Sequence, residues 1–298
     1  FLSVDDGPNL KYEIPVNQFV EVEVPLLHGG INVLQFSTPE ISGELTGKNN
    51  SAVVRINAVR DRLRVLLVSG IPHPGERTWR NLLKSDSSVD LVHFTILRPP
   101  EKRDDVPVAE LSLIAFPTRE LFLEKIDEFD LIIFDRYKRR GLLPASYFES
   151  ISNYVRKGGA VLVAAGPDYA GVNSLYRSPL GSILPGRPTS RVFEGPILPV
   201  VTDLGYKHPI SEGLESFASD QGWGRWLRQI ELEATSGNVL LTGKRERPLL
   251  LVDRVGNGRV ALLASDHAWL WDRGFEGGGP QAELLRRIAH WLMKEPDL

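Results

Sequence analysis

Residues 144–166, PASYFESISNYVRKGGAVLVAAG, decide the fold. Tyr147, Phe148, Ile151, Tyr154 and Val155 recur at i, i+1, i+4, i+7 and i+8, one stripe of a 3.6-residue helix. Pro144 suits the first helical turn, Arg156 and Lys157 complement the C-terminal dipole, and Gly158 fits a left-handed cap. The spacing predicts a helix from Pro144 to Lys157. Ala160–Ala165 follows as a short apolar run without alternation, as expected of a strand buried on both faces of a sheet. A helix feeding such a strand is half of a βαβ unit, and these units build parallel sheets with right-handed crossovers.

The same grammar extends both ways. Upstream, Leu63–Val68 reads as an opening buried strand, and Trp79, Leu82 and Leu83 mark a helix after the Pro72–Gly75 turn. Leu91–Leu97 and Leu131–Phe134 are the next strands, with a helix over Arg119–Phe129 between them. Downstream, residues 170–237 are rich in Gly, Pro and Ser and read as a short helix near Ser174–Ile183 with extended stretches after it. Val239-Leu240-Leu241 then resumes strand character. Leu249–Val252 and Val260–Ala264 flank Gly256-Asn257-Gly258, a hairpin signal. Leu284, Leu285, Ile288, Trp291 and Leu292 form the apolar stripe of a last helix over Gln281–Lys294.

Residues 1–60 carry strand signals and no helical period. Phe19, Glu21 and Glu23 alternate with Val20, Val22 and Val24, and further alternating runs cover Ile31–Phe36 and Ala52–Val59. Gly29-Gly30 and Lys48-Asn49-Asn50 supply turns. This pattern predicts four short strands, half of an immunoglobulin-like β-sandwich whose other strands come from upstream or from a partner sheet. Two domains follow: an incomplete sandwich module at 1–60 and an α/β domain at 61–298.

Composition narrows the function classes. The 298 residues are 42% hydrophobic and 24% charged, an ordinary globular profile. Thirty-five basic and 38 acidic side chains give a net charge of -3, which supplies no drive towards nucleic acid. There is no cysteine, so disulfides, thiolate metal sites and thiol nucleophiles are excluded. Zero cysteine also favours an envelope setting over the cytosol. No apolar run reaches the ~18 residues needed to span a bilayer, and no signal peptide is visible. Because the chain starts at Phe1 and stops just after a helix, it reads as part of a longer protein.

Four features occur in order: the Arg62–Gly70 opening strand, Asp130–Asp135, Gly158–Asp168, and Gly256–Val260 leading to Ser265-Asp266-His267-Ala268-Trp269-Leu270-Trp271. Together they resemble the class I glutamine amidotransferase-like domains of bacterial membrane-anchored proteins, which are often encoded beside von Willebrand A-type proteins and AAA-type ATPases. The resemblance covers residues 61–298 and implies a flavodoxin-like, doubly wound, mostly parallel sheet, with a β-sandwich in front. It also implies a periplasmic face for a membrane-anchored parent protein.

A working amidotransferase places a Cys on a tight strand-to-helix elbow, activated by a His and a carboxylate beyond a later strand. Here the elbow is Ala165-Gly166-Pro167-Asp168-Tyr169, with neither Cys nor Ser at the turn. The expectation is therefore a binding or scaffold domain without glutaminase activity, with no cofactor, no metal and no assigned catalytic residue. Its partner would be a protein or a small ligand. Ligands of open α/β sheets bind beyond the carboxyl ends of the strands. Asp135, Arg136, Gly166, Pro167, Asp168, Tyr169, His267 and Trp269 are the pocket candidates on that ground. The competing reading is a hydrolase using His267 with Asp266, Asp168 or Asp135, which requires these groups in one open cleft.

Each candidate has a plainer role. His267 can simply bond Asp266 and order its loop. Trp223, Trp226, Trp269 and Trp271 can be core rather than a stacking face. Gly277-Gly278-Gly279-Pro280 lacks the Lys and Ser/Thr of a P-loop and reads as a turn. Asp135–Arg140 is a basic strand end that defaults to a solvated loop. His73, His93, His208 and His290 stand at unrelated positions with no metal-ligand spacing.

Overall fold

The computed structural model describes residues 1–5, 7–26, 30–58, 62–95, 118–139, 141, 143–217 and 222–294. The chain divides into two units, one chiefly Phe1–Asp61 and the other Arg62–Met293.

In the N-terminal unit, β1 (Leu2–Val4), β2 (Gly30–Ser37) and β3 (Ser51–Ala58) form one antiparallel sheet in the order β1-β2-β3. Leu2 pairs with Phe36 and Leu34 with Val54, so these side chains share a face, on which Leu2 and Leu34 are buried. The expected strand over Phe19–Val24 does not form. Both edges of β2 are taken, by β1 on one side and β3 on the other, and the alternating run pairs with neither outer strand. Three strands are observed among the described residues, where four and a sandwich half were expected. Gly29 of one expected turn and Val59 of the third run lie outside the described residues.

The second unit is built on one eight-stranded sheet. Its strands are β4 (Leu63–Ser69), β5 (Val89–Thr95), β6 (Leu131–Asp135) and β7 (Ala160–Ala164). A two-stranded ribbon of β8 (Gly186–Ile197) and β10 (Trp226–Ala234) stands apart from it, and β9 (Val200–Val201) and β11 (Asn238–Thr242) join its far edge. β12 (Pro248–Val255) and β13 (Gly258–Leu263) complete it, in the order β5-β4-β6-β7-β13-β12-β11-β9. The first five are parallel and the last three antiparallel. Counted within the parallel part, the order is 2-1-3-4-5, that of flavodoxin-like folds. Every side chain of β6 and β7 is buried, which is why both read as unbroken apolar runs.

Helices α1 (Pro74–Ser85), α2 (Ala145–Lys157), α3 (Trp269–Asp272) and α4 (Gln281–Leu292) cover this sheet. α1, α3 and α4 pack on one another, while α2 packs on β7 and β13 and against short helical turns. α2 ends as its sequence demands: Gly158 takes φ 141° and its N–H caps the last turn. The Arg119–Phe129 helix is irregular, a π turn at Glu120–Glu124 followed by a 3₁₀ turn at Ile126–Glu128. Ser174–Ile183 likewise holds two 3₁₀ turns, Leu175–Arg177 and Pro179–Ser182. The β12–β13 hairpin turns on Gly256 at φ 60°. Among the described residues no helix is long and apolar enough to cross a membrane.

Candidate functional site

Parallel pairing sets the carboxyl ends of four strands side by side. Ser69 lies opposite Asp135, Asp135 opposite Ala164, and Ala164 opposite Leu263. The residues just beyond those ends, Gly70, Arg136, Gly166 and Asp266, therefore converge. The chain order reverses between β4 and β6, and here ligands of open α/β sheets bind.

Asp135 is buried, and its Oδ2 lies 2.9 Å from His73 Nε2. The N–H of Gly75 donates to His73 Nδ1 at 3.2 Å, so the imidazole caps the first turn of α1. A nitrogen that accepts carries no proton, which leaves Nε2–H to donate to Asp135. The other carboxylate oxygen, Oδ1, is buried and has no hydrogen-bond partner among the described residues. Burial pushes the Asp135 carboxyl above the usual carboxylate range; His73 opposes this, while Asp266 and Glu76 add to it. Sequence reasoning dismissed His73 as solitary. The signal for it was a possible capping side chain directly before Pro74, at the end of the first parallel strand.

A second carboxylate, Asp266, is also buried and faces two guanidiniums. Arg136 Nε lies 3.4 Å from Oδ2, and Arg228 Nη1 lies 3.2 and 3.4 Å from the two oxygens. Arg228 also reaches Glu194, Nε to Oε1 at 2.9 Å. His267 Nε2 is 3.8 Å from Asp266 Oδ1, and His267 Nδ1 is buried without a partner. Burial lowers the His267 pKa, with Asp266 opposing, and so favours the neutral imidazole. Arg228 escaped sequence reasoning because β10 lies in the Gly-, Pro- and Ser-rich stretch that gave no period.

The elbow after β7 is filled. A Cβ placed on Gly166 would stand 2.4 Å from Cγ of Arg136, whose own backbone is left-handed at φ 48°. Pro167 opens a 3₁₀ turn, and Asp168 pairs with Lys138, Nζ to Oδ1 at 2.9 Å. Tyr169 is buried and donates its hydroxyl to the Gly186 carbonyl at 3.0 Å. Trp269 meets His267 edge to face, ring centroids 6.1 Å apart. The candidates thus divide. Asp135, Arg136, Gly166, Asp266, His267 and Trp269 gather at the strand ends, whereas Asp168 is held by Lys138 and Tyr169 serves the core. Neither Asp168 nor Asp135 lies within ion-pair distance of His267.

The other tryptophans are packing. Trp226 and Trp271 are buried with ring centroids 4.8 Å apart, Trp223 lies 5.4 Å from Trp271, and Trp271 Nε1 donates to the Gly224 carbonyl at 2.6 Å. Gly279 rests on the Trp271 ring, so the glycine run before α4 wraps an indole.

One further cluster has the composition of a catalytic triad but not its wiring. Ser69 Oγ lies 3.1 Å from His93 Nε2, and Glu76 Oε1 lies 3.6 Å from that same nitrogen. A triad needs the carboxylate on one ring nitrogen and the nucleophile on the other. Thr95 crowds Nε2 as well, at 3.1 Å. Among the described residues, no group of three or more His, Asp or Glu side chains is arranged to hold a metal ion.

No family profile matches the sequence, and no curated protein matches it significantly. Solved structures do resemble it. Two cytoplasmic proteins of Salmonella typhimurium align at TM-score 0.56 with 18% and 16% identity, each over 77% of this chain and 99% of its own. A ThuA-like protein from Bacteroides uniformis aligns at TM-score 0.51 and 14% identity, over 80% of this chain and 94% of its own. The likeness is one of fold: the α/β unit has the class I glutamine amidotransferase-like architecture.

Proposed function

We propose that the α/β unit is a non-catalytic binding domain built on an amidotransferase-like scaffold. One observation carries this reading: the elbow that would present a nucleophile has neither Cys nor Ser, and the space above Gly166 holds the Arg136 side chain. Arg136 is fixed there by Asp266, and Arg228 binds the same carboxylate. That carboxylate is thereby committed to two cations, and His267 is left without a proton donor or acceptor on Nδ1. Replacing a reacting centre by ion pairs keeps the fold and discards the chemistry.

The finer parts of the reading rest on the sequence resemblance. The helix groups α1–α3–α4 and α2 cover opposite faces of a doubly wound sheet. The N-terminal three-stranded sheet is part of an immunoglobulin-like module, and the parent protein presents both at the envelope, beside von Willebrand A-type and AAA-type partners. The rival, a hydrolase using His267 with Asp168 or Asp135, would need those groups drawn together, and Asp168 is held by Lys138.

The test is direct. The purified chain is assayed for glutamate release from glutamine and for cleavage of chromogenic ester, amide and glycoside substrates. Rates indistinguishable from the protein-free blank are expected. Turnover on any substrate that disappears in His267→Ala would establish the hydrolase instead.

A further inference from the structure

A cavity lies away from the strand-end network, between residues that follow β6 and the 3₁₀ turns that follow β7. It has a volume of about 820 Å³, within the range of small-molecule sites, roughly 300–1,000 Å³. Lys138, Arg139 and Arg177 line it, and among the described residues no carboxylate does. Leu143, Phe148 and Val172 give it an apolar wall.

Each cation is presented differently. Arg139 is anchored by its own Nη1, which donates to the Arg177 carbonyl at 2.6 Å, leaving the other guanidinium N–H groups uncommitted. Among the described residues Arg177 has no ion-pair partner for its side chain. Lys138 is shared with Asp168, which stands outside the lining, so the cavity keeps a net positive wall. Pro144 and Ala145, at the start of the thirteen-residue α2, complete the lining, and Pro144 offers no side-chain cap to the amides of that first turn.

We propose that this cavity binds a small organic phosphate. Arginine pairs match the multiple oxygens of a phosphate group, and three cations gathered on one wall favour a dianion over a single carboxylate. Leu143, Phe148 and Val172 would cover the carbon portion. The inference does not rest on the absence of catalysis: the cavity is separate from Gly166, Asp266 and His267, so the substrate assays above leave it untouched.

Isothermal titration of the full chain tests it, with sodium phosphate, glucose 6-phosphate, glucose and succinate as probes at matched ionic strength. Saturable binding of both phosphates is expected, with glucose 6-phosphate the tighter and glucose silent. The pair Arg139→Glu and Arg177→Glu should weaken glucose 6-phosphate binding by about tenfold or more, as loss of two charge-assisted contacts implies. Should the double reversal disturb the thermal transition, Arg139→Gln with Arg177→Gln is read in its place. No saturable heat with either phosphate, binding unchanged in the double variant, or succinate binding as tightly as glucose 6-phosphate would each overturn the proposal.

Discussion

Gly166 has backbone angles open to any residue, φ -93° and ψ -177°, so its missing side chain serves space and not conformation. The space belongs to Arg136, 2.4 Å from where a Cβ would stand. Gly166→Ala should therefore displace Arg136 from Asp266 and cost about 1–3 kcal/mol, read as a lower urea midpoint with an unchanged slope. Three imidazoles set a second, pH-dependent expectation. Burial lowers the pKa of His93, His208 and His267, and Ile210 N–H donation to His208 Nδ1 further favours its neutral form. Unfolded, each titrates near 6.5. As pH falls through that value the unfolded chain takes up protons that the folded chain refuses, so their stabilising contribution is present above about 6.5 and lost below it. Asp135 has the opposite sign: its raised carboxyl holds a proton that the unfolded chain has released above about 4, so its contribution falls as pH rises towards its folded value. Urea midpoints should drop from pH 7.5 to 5.5, and His208→Gln should shallow that drop. An unchanged drop in His208→Gln would contradict the buried, neutral assignment of His208.

At the scale of elements, α2 is bolted to the sheet by one phenol. Tyr154 is buried, donates its hydroxyl to the Phe129 carbonyl at 2.8 Å, and accepts from the Ala160 N–H at 3.3 Å, so it joins the approach to β6 to the start of β7. Gly159 lets the ring lie this close, since a Cβ there would stand 2.1 Å from it. Tyr154→Phe leaves two buried backbone groups unpaired and should cost about 1–3 kcal/mol, measured by urea denaturation, while Tyr147→Phe on the half-buried flank should cost far less. The sequence exposed α2 and its neighbours because their apolar spacing and their Pro and Gly boundaries all agree. It marked β8 only as extended backbone without bounds, because its residues GRPTSRVFEGPI carry two prolines, an internal glycine and no alternation. It misled at Phe19–Val24, where period-2 spacing describes a face but names no partner strand. The site divided in the same way. Asp135, Gly166 and His267 follow from strand ends, but the bond from His73 to Asp135 joins residues 62 apart, and no local spacing reports it.

For the molecule as a whole, the burial pattern separates the two units energetically. The large core runs from Leu63 to Met293 and contains none of the described residues among the first sixty. The N-terminal sheet buries few large side chains, among them Leu2 and Leu34, while Ile31, Val53 and Val54 remain exposed. Three strands with so little apolar burial do not offset the conformational entropy of sixty residues, because each fixed residue costs about 1–2 kcal/mol. A fragment of residues 62–294 should consequently refold alone, with one cooperative thermal transition and native near-ultraviolet circular dichroism from Trp226 and Trp271. A fragment of residues 1–61 should show no cooperative transition at all. Independent folding of that piece would mean that its exposed apolar residues pack in isolation more fully than the three-stranded sheet allows, and a sandwich closed within the fragment would then be the better description.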